Sequence, residues 1–386
     1  MIKKQEIDND IFEEYNYQND IHYTNENKKF LSSQLITYIG NKRKLLSLIN
    51  NGIFYCQKKI NKKKMSILDG FAGSGVVSRN LKQFSTILYS NDLESYSFVV
   101  NKCYLSNKSE VDIEFIKKTI SYLNNNKLNN NLKKGIIEKL YSPKNDDNIE
   151  KNERVFYTNK NAFIIDNIIR MIDKVSNQEF FLAPLLSEAS IHSNTSGLFK
   201  GFYKNKETGI GQFGGTAENC LDRIKKEIIL PVPVFSNYEC EVNIYQEDTN
   251  NLVKNLPEID VAYFDPPYNQ HPYGSNYFML NLICNYKEPK KISKTSGIPK
   301  EWNRSDYNNK KSKVSLDCLI RDTKAKFILL SYNNEGIILY DDIICILEKY
   351  GKIEILEQSY NTFRASRNLS NRDKKVKEYL FILEKH

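Results

Sequence analysis

The stretch Ser66-Ile-Leu-Asp-Gly-Phe-Ala-Gly-Ser-Gly-Val-Val77 constrains the fold more than any other part of the chain. A short apolar run ends in Asp69, Gly70, Gly73 and Gly75 follow in close succession, and apolar residues then resume. This reads as strand, tight turn and helix, with glycines that permit positive φ and let a ligand approach the backbone closely. A second apolar run, Thr86-Ile-Leu-Tyr-Ser90, ends in Asn91-Asp92 and places an acid 23 positions after Asp69. Doubly wound α/β folds present a carboxylate to ribose hydroxyls at roughly a 20-residue offset. Two acids in this region repel a pyrophosphate, so an adenosine carrying a sulfonium and an amino acid fits better than a dinucleotide. An ordinary βαβ unit with a tight turn also accounts for the loop taken alone.

About two hundred residues later, Val261-Ala-Tyr-Phe264 has the apolar and aromatic character of a buried strand and ends in Asp265-Pro266-Pro267-Tyr268. That puts the tetrapeptide at the strand's carboxyl end, the edge where open α/β sheets bind ligands. A carboxylate only accepts hydrogen bonds, and prolines lock φ near -65° and remove backbone donors. Asp265 and the Pro266 carbonyl therefore suit one planar NH2 group, and Tyr268 offers a flat face for an unstacked base. The same four residues also fit a rigid turn with a solvated acid and a packing tyrosine, so the motif draws its meaning from context.

Four blocks in order give that context. Thr37-Tyr38-Ile-Gly40-Asn41-Lys42-Arg-Lys-Leu45, the glycine loop Asp69 to Gly75, Asp92, and Asp265 to Tyr268 together resemble the Dam-like, alpha-group DNA adenine-N6 methyltransferases, including those of restriction–modification systems. Gln246-Glu-Asp248-Thr249, after an apolar run from Glu241 to Tyr245, is similar to the family's acid that meets the cofactor's adenine. Asn41 departs from the glycine many relatives carry. The resemblance implies S-adenosylmethionine as methyl donor, held by Tyr38, Gly40, Lys42, Asp69, Phe71, Gly73, Ser74, Gly75, Asp92 and Asp248. It implies catalysis by Asp265, Pro266, Pro267 and Tyr268 on an adenine flipped out of duplex DNA, without a metal. A cognate restriction endonuclease is the further partner it suggests. The residues alone leave other acceptors open: a cytosine amine, although such relatives more often carry Ser where Asp265 stands, or a guanine amine of ribosomal RNA. A DNA-binding subunit without catalysis is the alternative of a different kind.

Composition sets outer bounds. The chain has 386 residues, 40% of them apolar, enough for a catalytic domain and another module. No apolar run approaches the roughly 18 to 20 residues of a membrane span and the start lacks a signal-like apolar core, so a cytoplasmic protein is expected. The seven cysteines are scattered without a Cys-x-x-Cys pair, which argues against a zinc site or a disulfide framework. No Pro-Cys dipeptide occurs, which argues against methylation at a cytosine ring carbon.

The net charge of +9 is unevenly distributed. Residues 287–313 hold nine Lys/Arg and three acids, residues 361–377 hold six and one, and the first 30 residues hold seven acids and four lysines. Such segregation suits a face that meets phosphate, and it equally suits solvated loops in a lysine-rich chain. Between the second strand unit and Glu241 lie about 135 residues, far more than the 2 to 6 that usually link α/β elements. An insertion is therefore expected. Residues 161–175 and 180–191 read as its helices, and the glycine, aromatic and lysine mixture at 197–215 as a loop or hairpin facing a polyanion. The expected organisation is an N-terminal extension at 1–32, a catalytic domain at 33–105 and 240–386, and a helical, target-recognition insert at 106–239. The catalytic domain is expected to carry a Rossmann-like methyltransferase sheet, mostly parallel, closed by an antiparallel C-terminal hairpin. The DNA contacts expected are Lys200, Tyr203, Lys204, Lys290, Lys291, Arg304, Arg364 and Arg367, with Phe199, Phe202 and Lys206 as further candidates.

Overall fold

In the computed structural model, which describes residues 25–129, 133–218, 220–361 and 375–386, alternating apolar residues build one seven-stranded sheet. In chain order the elements are α1 (Leu46–Ile60), β1 (Met65–Asp69), α2 (Val76–Leu81), β2 (Ser85–Asn91) and α3 (Ser95–Tyr104). The insert comes next, with α4 (Ile113–Asn126), α5 (Ile136–Tyr141), α6 (Asn159–Ile172) and α7 (Glu179–Ile191). The chain then returns to β3 (Glu241–Tyr245), α8 (Thr249–Asn255), β4 (Ile259–Phe264), α9 (Phe278–Asn285), α10 (Ser312–Asp322), β5 (Ala325–Asn333), α11 (Tyr340–Leu347), β6 (Gly351–Asn361) and β7 (Lys375–Lys385). The expected fold class holds: strands run in the order β3-β2-β1-β4-β5-β7-β6, parallel except for β7, which is antiparallel to β5 and β6.

Successive strand residues point to opposite faces, and the buried residues sort accordingly. Ile67, Val261, Phe327 and Leu380 pack with α1 and α2 on one side. Leu68, Ala262, Ile328 and Phe381 pack with α8, α10 and α11 on the other. Both faces of the central strands are covered, which explains their nearly unbroken apolar runs.

The helices α4 to α7 of the insert do not form a core of their own, although Val155, Phe213 and Ile224 make a small separate cluster within it. Residues of α4 to α7 share one apolar cluster with Tyr96 and Val100 of α3 and Met279, Leu280 and Ile283 of α9. The insert is thereby coupled through buried side chains to the helices that flank the sheet. The helices at 161–175 and 180–191 appear within a few residues of their expected bounds, and Lys204 pairs with Gly211 in an isolated antiparallel bridge. Of the N-terminal extension, residues 1–24 lie outside the described residues. Its described end is docked, with Phe30 buried and Glu26 accepting from the Ser236 hydroxyl at 2.5 Å and the Asn237 amide at 2.9 Å. No helix among the described residues is long and apolar enough to cross a membrane.

Candidate active site

The strand order reverses between β1 and β4, so the carboxyl ends of these neighbours diverge into a crevice of the kind that binds ligands. The register brings the loops at these strand ends into line. Asp69 lies opposite Tyr263, two residues before Asp265; Asp69 also pairs with Ser90, two before Asp92; and Asn91 pairs with Tyr245, three before Asp248. Three of the sequence-nominated acids thus leave neighbouring strands at one edge.

They surround a cavity with ≈ 680 Å³ of empty space, open solvent included. Of the nominated residues, Tyr38, Gly40, Phe71, Asp92, Asp248, Asp265 and Pro267 line it. Phe71 meets Tyr307 edge-on at 5.3 Å, while Asp92 accepts from the Gly73 amide at 2.8 Å and the Glu94 amide at 2.9 Å. Burial, only partly offset by these amides, lifts Asp92 to about 6. Tyr38 stacks on Tyr273 and Tyr277 at 5.0 and 4.9 Å, and both tyrosines also hold the Ile39 backbone, Tyr277 accepting from its amide and Tyr273 donating to its carbonyl. The N-terminal block is therefore fastened to the segment just beyond the tetrapeptide.

Two glycines are required by this geometry. Gly73 has φ +52°, and a Cβ there would lie 2.7 Å from the Tyr38 ring; Gly40 has φ +74° and abuts the hydroxyl of Tyr268. Other nominated residues support the cavity from outside its lining. Asp69 is fully buried beneath the loop, its Oδ2 accepting from Ser78 at 2.6 Å, and burial lifts it to about 7. Ser74 and Gly75 form the turn into α2, where Gly75 adopts the left-handed conformation.

Lys42 is not among the residues lining the cavity but pairs with Asp265, which is. Asn41 caps the turn with its side chain on the Arg43 amide at 2.8 Å, and the turn aims Lys42 inward. Its ammonium, 3% exposed, lies 3.0 Å from Asp265 Oδ1 and 2.6 Å from Glu378 Oε1. It also sits 5.2 Å from the centre of the Tyr268 ring, which meets Tyr332 in a T-shaped contact. Burial opposes the charge on Lys42, but Asp265 and Glu378 together hold its pKa well above the ordinary lysine value. Burial, with Glu378 adding and Lys42 opposing, raises Asp265 to about 7.

Several lining residues carried no signal in the sequence. Glu94, two positions past Asp92, is buried and accepts from Asn303 at 3.2 Å and from Asn281, and burial lifts it to about 7. Asn303, Ser305 and Tyr307 belong to the lysine-rich segment that reads only as charge, yet their side of it closes the cavity. Among the described residues, none that lines the cavity is a lysine or arginine.

Residues 38–344 match the family of D12 class N6 adenine-specific DNA methyltransferases. The chain belongs to this family. The methyltransferase is 31% identical over 364 residues to the Type II methyltransferase M.NlaIII of Neisseria lactamica, covering 91% of this chain and 99% of that one. It is 31% identical over 360 residues to the Type II methyltransferase M.CviAII of Paramecium bursaria Chlorella virus 1, covering 90% and 98%. It is 30% identical over 369 residues to the modification methylase StsI of Streptococcus sanguinis, covering 90% of this chain and 52% of that one. Among the amine acceptors the residues left open, the family decides for adenine.

The methyltransferase's nominated DNA contacts fall in two places. Lys200 Nζ lies 3.2 Å from His271 Nδ1, three residues past Tyr268, so the insert's loop reaches the segment just beyond the tetrapeptide. Tyr203 is half-buried nearby in the chain, Lys204 stands 5.0 Å over the Phe202 ring, and Lys206 is exposed. Phe199 corrects the expectation of DNA contact: it is 1% exposed and packs with Phe156 and Phe278. Phe202, half-buried, meets Phe156 at 5.2 Å. Lys290, Lys291 and Trp302 line a separate open cleft, with Arg304 stacked 4.4 Å over Trp302. Arg364 and Arg367 lie outside the described residues.

Proposed function

We propose that the methyltransferase takes its methyl group from S-adenosylmethionine bound in the ≈ 680 Å³ cavity and delivers it to an adenine rotated out of duplex DNA, with Asp265 to Tyr268 as the catalytic residues. One observation carries the reading: Asp265 and Pro267 share the lining of a cavity that holds Asp92, Glu94, Asp248 and aromatic rings but, among the described residues, no lysine or arginine. Such walls fit a cationic, adenosine-bearing donor and disfavour a phosphate-rich one. Asp92 and Glu94 suit ribose hydroxyls, Asp248 the donor's adenine amine, and Phe71 with Tyr307 its flat faces.

When bound, the donor supplies an electrophilic methyl carbon on a sulfonium. Asp265 accepts from the N6 amine together with the Pro266 carbonyl, which draws the nitrogen lone pair out of conjugation toward the methyl. As the nitrogen–carbon bond forms and the sulfur–carbon bond breaks with its electrons going to sulfur, one proton must leave nitrogen. Asp265, raised to about 7, is suited to hold it near neutral pH before release to water. Tyr268, braced by Tyr332, keeps the base in line, a positioning effect worth several kcal/mol of barrier. Lys200 and the other exposed cations hold backbone phosphates. We infer further that the enzyme marks one recognition sequence beside a restriction endonuclease, a reading supported by the names Type II methyltransferase and modification methylase among its relatives.

Methyl incorporation from labelled S-adenosylmethionine into duplex DNA tests the assignment, with Asp265→Ala as the control. The variant is expected to lose incorporation while calorimetry still detects the donor. Equal incorporation by both proteins refutes the catalytic role.

A further inference from the structure

β7 is the antiparallel strand of the sheet, so its amino end, not its carboxyl end, reaches the catalytic edge. Glu378 stands there, opposite Asn333 of β5, with no exposed surface. Its Oε1 receives the Ser331 hydroxyl at 2.7 Å and the Lys42 ammonium at 2.6 Å, and the same ammonium lies 3.0 Å from Asp265. One buried cation is thus shared by two carboxylates, one at the cavity and one behind it. Removing charges from water is costly unless geometry is fixed by further hydrogen bonds, and here Ser331 and the Asn41-capped turn provide it.

We infer that Glu378 is a positioning residue for methyl transfer, holding Lys42 so that Asp265 is oriented and retained as an acceptor for the amine. The inference rests on the catalytic role proposed for Asp265. Lys42 alone with Asp265 would form a neutral pair in which the carboxylate is fully claimed. A second carboxylate divides the ammonium and adds negative charge near Asp265, which keeps Asp265 basic enough to take a proton. Glu378 touches no reacting atom and acts only through Lys42. Among the described residues, the titratable groups facing Asp265 are Lys42 from the N-terminal turn, Glu378 from β7, Asp69 from β1, Tyr263 from β4, and Tyr273 from the segment after it. Of the carboxylates among these, Glu378 is the one that shares a cation with Asp265.

The test is the pH profile of the single-turnover methylation rate for Glu378→Gln, which retains the shape and an acceptor for both Ser331 and Lys42. Its rate at neutral pH is expected to fall about 10- to 100-fold, the range for partners that orient a reacting group, with KM for donor and DNA changed less than about twofold. Loss of the negative charge lowers the pKa of Asp265, so the acid limb of the profile moves to lower pH. A profile superimposable on that of the unmodified enzyme, or a loss confined to donor KM, overturns the inference. Asp265→Ala is measured alongside: if it remains active, the catalytic reading itself fails, whereas an inactive Asp265→Ala with an unshifted Glu378→Gln refutes only the role of Glu378. Should Glu378→Gln not fold by circular dichroism, Ser331→Ala takes its place. A reduced single-turnover rate with unchanged donor and DNA affinity then supports the inference, and an unchanged rate overturns it.

Discussion

Replacing Asp69 with Asn probes how the glycine loop is supported. Asp69 has no exposed surface; its Oδ2 receives Ser78, which in turn lies 2.9 Å from Ser90, while Oδ1 is buried and, among the described residues, accepts no well-formed hydrogen bond. Burial therefore dominates, opposed by Ser78 and reinforced by Asp265 and Asp92, and lifts the carboxyl from an ordinary 3.8 to about 7. Because the folded value is the higher one, the folded state binds the proton more tightly. The stability this contributes is complete below the ordinary value and is lost as pH rises through the folded one. At about 1.36 kcal/mol per pH unit, the loss above pH 7 is about 4 kcal/mol, of which about 2 kcal/mol develops between about pH 5.5 and pH 8. Asn carries no charge at any pH and still offers an oxygen to Ser78. Urea unfolding of both proteins at these two pH values isolates most of the effect, since the other raised acids, Asp265, Asp92 and Glu94, titrate in both and only their smaller coupling to Asp69 differs. The stability of Asp69→Asn relative to the unmodified protein should improve by about 2 kcal/mol from the lower to the higher pH. A difference that does not change with pH refutes the claim that Asp69 is buried and held protonated near neutrality.

Other perturbations give distinct readouts. Gly73→Ala places a methyl 2.7 Å from the Tyr38 ring at φ +52°, and should weaken donor binding by tenfold or more, about 1.4 kcal/mol, in calorimetric titration. Asn303→Ala removes donors to the Leu93 carbonyl and to Glu94, loosening the segment that closes the cavity; a several-fold faster donor release in stopped-flow measurements is the expected outcome, and an unchanged rate contradicts a closing role. Lys200→Ala should lower DNA affinity and reduce the slope of log affinity against log salt by about one unit, leaving donor affinity unchanged.

Much of the architecture was legible because its signals are local. The glycine loop, the apolar strand runs and the terminal hairpin depend on backbone freedom and on residue periodicity within a few positions, and each appears where its pattern lies. The acids Asp92, Asp248 and Asp265 could be nominated because each comes at or just after a strand's end. Glu94, Tyr307 and Glu378 could not. Their roles arise from residues brought together across long stretches of chain, 187 positions between Glu94 and Asn281 and 336 between Lys42 and Glu378. The lysine-rich segment was misleading for a related reason: it reads as charge alone, while Asn303, Ser305 and Tyr307 within it turn toward the cavity.

The sequence by itself determined the α/β class, the turn that approaches a ligand, the strand-end acids and the family, since these come from short patterns and their order. Only the tertiary structure decided that Lys42 is shared between Asp265 and Glu378, that Phe199 is core, and that the insert shares its apolar interior with α3 and α9. An antiparallel strand end and a side chain's direction are settled by packing against distant partners, and such partners leave no trace in a local pattern.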